Sequence, residues 1–167
     1  MAIIDPLSGS ARFAAPASPA ATTGCVDSTD MAGQGPERED HRMKSFLLVD
    51  DQPSVRQALR MQIELELGQT VVGEAATVTA ALALARRLQP DVVIMDVDLP
   101  DCDGISAMAE LRFLAPRCAV LILTMRGDEQ TRSRAMQAGA NVFAVKGTAE
   151  EFGKALREVA ESFEPLA

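Results

Sequence analysis

Asp96 closes the run Asp91-Val-Val-Ile-Met-Asp96, an apolar stretch that ends on a carboxylate. A turn rich in acids and breakers follows, Val97-Asp98-Leu99-Pro100-Asp101-Cys102-Asp103-Gly104. A second apolar run, Phe46-Leu-Leu-Val-Asp50-Asp51, also ends in acids. A buried strand that ends in an acid places it at the mouth of a parallel sheet, where α/β proteins bind ligands. Asp50, Asp51 and Asp96 together form a hard-oxygen set suited to a divalent cation. One of them is a candidate nucleophile. Thr124 and Lys146 end two further apolar runs. The steps from Asp51 to Asp96, to Thr124 and to Lys146 are 45, 28 and 22 residues.

The elements that must position these groups alternate. Strands are predicted at 46–50, 70–75, 91–96, 118–124 and 141–145, and helices at 53–67, 77–88, 104–115, 128–138 and 148–162. Pro53 suits a first helical position, where its missing N–H costs nothing. Thr77 and Thr148 are candidate N-caps, and Thr148 with Glu151 fits a capping box. Gly139 is a C-terminal stop. Val55, Leu59, Ile63 and Leu67 recur every four residues, the stripe of a helix packed on a sheet. The runs Val92-Val-Ile-Met95 and Val120-Leu-Ile-Leu123 are apolar on both faces, as in a parallel sheet covered on both sides. Five βα units give a three-layer α/β/α doubly wound five-stranded parallel sheet.

Composition removes several function classes. The net charge is −8 with no block of Lys and Arg, and there is no Trp or Tyr on which bases could stack. Direct nucleic-acid binding is therefore not expected. Cys25, Cys102 and Cys118 have neither zinc-ligand spacing nor an even number, so free thiols in a reducing compartment are expected. No apolar run approaches a membrane span, and the N-terminus lacks a basic n-region and a continuous h-region. A cytoplasmic location with no membrane contact follows by default.

Residues 1–43 differ from the rest. Ala, Pro, Ser, Thr and Gly dominate from Ser8 to Pro36 without period. Such a segment cannot bury enough apolar surface to offset its ordering entropy. It reads as a disordered tail or, since Met43 directly precedes the first strand, as a mis-assigned start. The domain then spans 44–163, with 164–167 as a C-terminal tail. Little chain follows the fifth helix, so a stand-alone domain without an output module is expected.

The set Leu47-Leu-Val-Asp-Asp51, Asp96-Val-Asp-Leu-Pro100 with Asp103-Gly104, Leu123-Thr124 and Phe143-Ala-Val-Lys146 resembles the receiver domain of two-component response regulators. The resemblance covers about residues 45–163. Thr124-Met125 and Lys146-Gly147 look most like the receivers joined to helix-turn-helix outputs, the NarL/LuxR type. It implies a flavodoxin-like strand order 2-1-3-4-5, the order of the chemotaxis receiver that is a standard example of this fold. It implies Asp96 as phosphoacceptor and Mg²⁺ as cofactor. Asp51 and Asp96 would be direct ligands, Asp50 would act partly through water, and Asp98 would offer its backbone carbonyl. Lys146 and Thr124 would contact the phosphoryl group, and Phe143 would be the aromatic switch that follows Thr124 inward. The implied partners are a histidine kinase or histidine phosphotransfer protein and a downstream protein target. That target would dock on the fourth helix, fifth strand and fifth helix; a homodimer on phosphorylation is left open. The implied protein is a self-phosphorylating and autodephosphorylating switch, not a turnover enzyme. The only histidine, His41, lies in the tail, so the donor must come from elsewhere.

Taken singly, each residue has a plainer role. Asp50 and Asp101 would be turn formers or helix caps, Thr124 a strand-end hydroxyl, Phe143 core and Lys146 a solvated surface lysine. The conjunction argues otherwise for Asp51, Asp96, Thr124 and Lys146, and strengthens Phe143 least. Two positions stand apart. Gly147 follows Lys146 where many receivers carry Pro. Asp98 and Arg126 lie where side chains can orient or hinder an attacking water, which predicts an altered lifetime of the phosphorylated state. Two other classes compete. Asp96-Val97-Asp98 matches the nucleophile pair of haloacid-dehalogenase-type phosphatases. However, Asp50-Asp51 precede that pair, and 21 residues after Lys146 are too few for the last acidic motif. A receiver fold used as a non-phosphorylated binding module is the other alternative.

Overall fold

A computed structural model of the chain describes residues 43–163. Apart from Met43, the expectations for the N-terminal tail fall outside the described residues, as do those for 164–167. Five strands form one parallel sheet: β1 Ser45–Val49, β2 Thr70–Ala75, β3 Val92–Met95, β4 Ala119–Thr124 and β5 Val142–Val145. Its order is β2-β1-β3-β4-β5, as the resemblance implies. Five helices alternate with them: α1 Pro53–Met61, α2 Val78–Leu88, α3 Met108–Leu114, α4 Glu129–Gln137 and α5 Ala149–Glu161.

Period-two alternation sorts the strand residues into two cores. Leu47, Val49, Val93, Met95, Val120 and Ile122 pack with Ala81, Met108, Leu111 and Ala135 from α2, α3 and α4. Phe46, Leu48, Val92, Ile94, Leu121 and Leu123 pack with Leu59, Ile63, Phe152 and Leu156 on the α1 and α5 side. Each fully buried Leu, Ile or Val contributes about 1.5–3 kcal/mol. These strands are apolar throughout because helices cover both faces.

The local signals hold. Pro53 occupies the start of α1. Thr77 Oγ1 accepts the Ala80 N–H at 3.1 Å. Thr148 and Glu151 close a capping box on α5. Gly139, at φ +98, ends α4 in the left-handed region. Two elements differ from expectation. The first helix does not run on as α-helix to 67 but passes into a π-helical turn, Gln62–Glu66. The apolar stripe survives the change, since Leu59 and Ile63 stay buried with Val55 and Leu67 packed beside them. The third helix starts at Met108, not at 104. Asp103 Oδ1 takes the Ile105 N–H at 2.8 Å, and Gly104 N–H donates to Val97 O at 2.9 Å. Those amides serve the loop, so the helix begins one turn later.

The edge opposite the acids is also tied. The Lys44 ammonium donates to the Ala160 carbonyl near the end of α5. It also lies 5.7 Å from the centroid of the Phe163 ring. Among the described residues no helix is long and apolar enough to cross a membrane. Cys102 and Cys118 are free thiols, the first exposed and the second buried.

Candidate functional site

Strand register brings the candidate residues together. Val49 pairs with Met95, so Asp50 and Asp96 emerge side by side from β1 and β3. Thr124 pairs with Val145, so Lys146 leaves β5 beside it, and Lys146 N–H donates to Thr124 O at 2.8 Å. Phe143 pairs with Ile122, two residues before Thr124 on the same face of the sheet. It is half-buried and packed against the core.

Asp50, Asp96 and Thr124 are buried, while Asp51 is exposed. Lys146 Nζ lies 2.5 Å from Asp50 Oδ2 and 2.5 Å from Asp96 Oδ2. Burial pushes its ammonium down, but the two carboxylates outweigh that and hold its pKa above the ordinary lysine value. Asp50, Asp51 and Asp96 each offer an oxygen within 4.8 Å of the others. One ammonium against three carboxylates leaves two negative charges, two of the acids having little water to solvate them. A hard divalent cation fits that donor set. The side chain of Asp98 lies outside the group: its Oδ2 accepts from Arg126 Nε at 3.1 Å. The Asp98 backbone N–H donates to Asp96 Oδ1 at 3.3 Å.

Asp50 is a turn former and also a member of the acidic group. Its Oδ1 accepts the Gln52 N–H at 2.9 Å while Oδ2 meets Lys146. Asp101 is a cap only. Its carboxylate accepts the Val78 and Thr79 N–H groups at 2.8 and 2.9 Å, at the start of α2. Gly104 is required by space. A Cβ there would stand 2.1 Å from the Asp96 carbonyl oxygen. Gly147 is not in the left-handed region, and a Cβ there would meet the Glu151 carboxylate of the capping box at 2.4 Å.

Supporting contacts made by Arg56, Arg134 and Asp128 have no counterpart in the sequence reading. Arg56 Nη1 donates to the Asp50 carbonyl at 2.6 Å and Nε to Glu74 Oε2 at 3.2 Å. Arg134 Nη2 donates to Asp103 Oδ2 at 2.7 Å. Asp128 caps α4 by accepting the Thr131 N–H at 2.8 Å. Asp128 had a readable signal, a short acid at a helix start. The arginine contacts with Glu74 and Asp103 join residues 18 and 31 positions apart in sequence and had none.

A sequence profile for the response regulator receiver domain matches residues 46–157. The chain is 40% identical over 104 residues to a putative transcriptional regulator of Pseudomonas aeruginosa, covering 62% of this chain and 50% of that one. It is 40% identical over 119 residues to the response regulator GacA of the same species, covering 70% and 55%. The chain thus spans about half the length of the curated relatives it matches. Its structure is similar to a LuxR-family two-component response regulator from Aurantimonas sp. SI85-9A1. The TM-score is 0.68 at 33% identity, covering 74% of this chain and 89% of that one.

Proposed function

The chain belongs to the response regulator receiver domain family, and on that premise we propose that Asp96 accepts a phosphoryl group from a phosphohistidine on a histidine kinase or histidine phosphotransfer protein. An Asp96 carboxylate oxygen attacks phosphorus, the P–N bond to the imidazole breaks, and the histidine leaves with the bonding pair. The product is an acyl phosphate, a covalent intermediate of the carboxylate-nucleophile type. Lys146 is the point charge for the phosphoryl oxygens. Thr124 donates its hydroxyl to the phosphoryl group, and Phe143 follows it inward. Asp51 and Asp96, Asp50 partly through water, and the Asp98 carbonyl would hold Mg²⁺. Bound there, the ion supplies neutralisation of the phosphoryl charge.

The protein is a switch that later loses the phosphoryl group to water, not a turnover enzyme. Its output passes to a downstream protein through the face built from α4, β5 and α5, with homodimer formation on phosphorylation as one form of that output. A cytoplasmic location suits such a phosphorelay. The observation that carries the reading is Lys146 Nζ at 2.5 Å from both Asp50 and Asp96, with buried Thr124 on the adjoining strand.

Intact-protein mass after incubation with acetyl phosphate and Mg²⁺ tests it. The native chain should gain one phosphoryl group, and Asp96→Asn or omission of the metal should abolish the gain. A gain that persists in Asp96→Asn would move the acceptor elsewhere. No gain from either acetyl phosphate or a phosphohistidine donor would end the reading.

A further inference from the structure

Helix α4 is weakly anchored. Its buried residues are Thr131 and Ala135, so unlike the other four α-helices it buries no Val, Leu, Met or Phe. Elements with little buried apolar surface open at the least cost. Two ion pairs add to that slight burial in tying α4 and the preceding loop to the acceptor side. Arg134 on α4 reaches Asp103 Oδ2 at 2.7 Å, and Arg126 before α4 reaches Asp98 Oδ2 at 3.1 Å.

Both acids lie in the loop that follows Asp96, and that loop is locked to Asp96. Asp98 and Asp103 form a β-bridge. Gly104 N–H donates to Val97 O at 2.9 Å, and a Cβ on Gly104 would collide with the Asp96 carbonyl. Asp103 cannot drift, because its other oxygen holds the Ile105 N–H at 2.8 Å. At its near end the arginine-bearing segment starts from Thr124, whose Oγ1 accepts the Arg126 N–H at 3.2 Å.

We propose that the Asp103–Arg134 ion pair, seconded by Asp98–Arg126, is a latch. It holds the segment from Thr124 to α4 in its unphosphorylated position and so slows phosphoryl acceptance at Asp96. This rests on Asp96 being the acceptor. Arg134 and Asp103 touch no reacting atom; they are positioning residues. Their side chains are 44% and 34% exposed, so the pair is screened and its effect modest. Opening it should speed acceptance about two- to fivefold.

The test compares the native chain with Arg134→Gln, Asp103→Asn, the double variant and Arg134→Lys. Asp103→Asn keeps an oxygen for the Ile105 N–H while removing the charge. Two quantities are read: amide hydrogen exchange over residues 124–137 without phosphodonor, and the initial phosphorylation rate with acetyl phosphate and Mg²⁺. Each neutral variant should speed exchange and raise the rate. The double variant should gain no more than either single, since both remove one interaction. Arg134→Lys should return towards native. A merely structural role would lower stability without accelerating acceptance. Unchanged exchange over 124–137, or a rate in Arg134→Gln at or below native, would overturn the latch. Should the native chain take up no phosphoryl group from either acetyl phosphate or a phosphohistidine donor, the acceptor reading falls and the rate effect of the latch with it, while unchanged exchange over 124–137 in a chain that is phosphorylated overturns the latch alone.

Discussion

Replacing Gly104 by Ala tests whether the loop after Asp96 is machined around the acceptor. The new Cβ would stand 2.1 Å from the Asp96 carbonyl oxygen, where ordinary contact begins at 3.4 Å. The deficit is roughly 1.3 Å, and because the obstacle is backbone, no side-chain rotation relieves it. Either Asp96 or the whole 97–104 loop must move by about that much. Overpacking of this kind costs about 1–3 kcal/mol, a melting-temperature loss of several degrees. The chemical cost should be larger, since a misplacement of about 1 Å at a reacting group can cost about a hundredfold in rate. The assay is initial phosphorylation by acetyl phosphate with Mg²⁺, followed by intact mass, beside a thermal melt. A large rate loss with a modest stability loss supports the argument. A Gly104→Ala protein that is phosphorylated at the native rate would refute it, because the acceptor would then be indifferent to the loop.

Gly153 sits inside α5, and a Cβ there would meet nothing nearer than 3.5 Å, the Gln62 amide. Gly153→Ala should therefore stabilise the fold by about 0.5–1 kcal/mol through helix propensity; a lower melting temperature would show that the space is not there. Burial pushes the Glu74 carboxyl up, but Arg60 and Arg56 outweigh this and hold it below its ordinary value of 4.5. Its contribution to stability is therefore present above pH 4.5 and lost as pH falls through the depressed folded value. Denaturation midpoints of native and Glu74→Gln should differ at neutral pH and converge in acid; a gap that persists below that range contradicts the assignment. Asp98→Ala and Arg126→Ala should each alter the dephosphorylation rate, and in the same direction because they break one 3.1 Å pair. If both leave the rate unchanged, the pair has no part in the lifetime of the acyl phosphate.

The strand-end acids were legible because their signal is local. An apolar run of β-branched residues that stops on Asp states both the element and the position of the acid within it. Register then had to follow, since parallel pairing of β1, β3, β4 and β5 leaves no other edge for Asp50, Asp96, Thr124 and Lys146. The capping box at Thr148 and Glu151 was legible for the same reason, spanning only one turn. What stayed hidden was either a local conflict or a distant contact. The start of α3 moved because Gly104 answers to Asp96 rather than to the helix propensity of its own segment. The π-helical turn after Met61 kept the same apolar stripe as an α-helix, so periodicity could not distinguish them. Arg134 and Asp103 are 31 residues apart and belong to different elements. Nothing in either neighbourhood says that one needs the other.

The clasp of Lys44 on Ala160 and Phe163 bears on how anything joined to this domain would sense it. It gathers the entry to β1 and the exit of α5 at a single corner, on the sheet edge away from the acids. Strands of four to six residues separate the two edges, a lever arm of about 13–20 Å at about 3.3 Å per residue. A segment attached at either end would share one mooring, remote from the acceptor. News of events at Asp96 would have to reach that mooring through the packing of the helices, arriving as a shift in their seating rather than as direct touch.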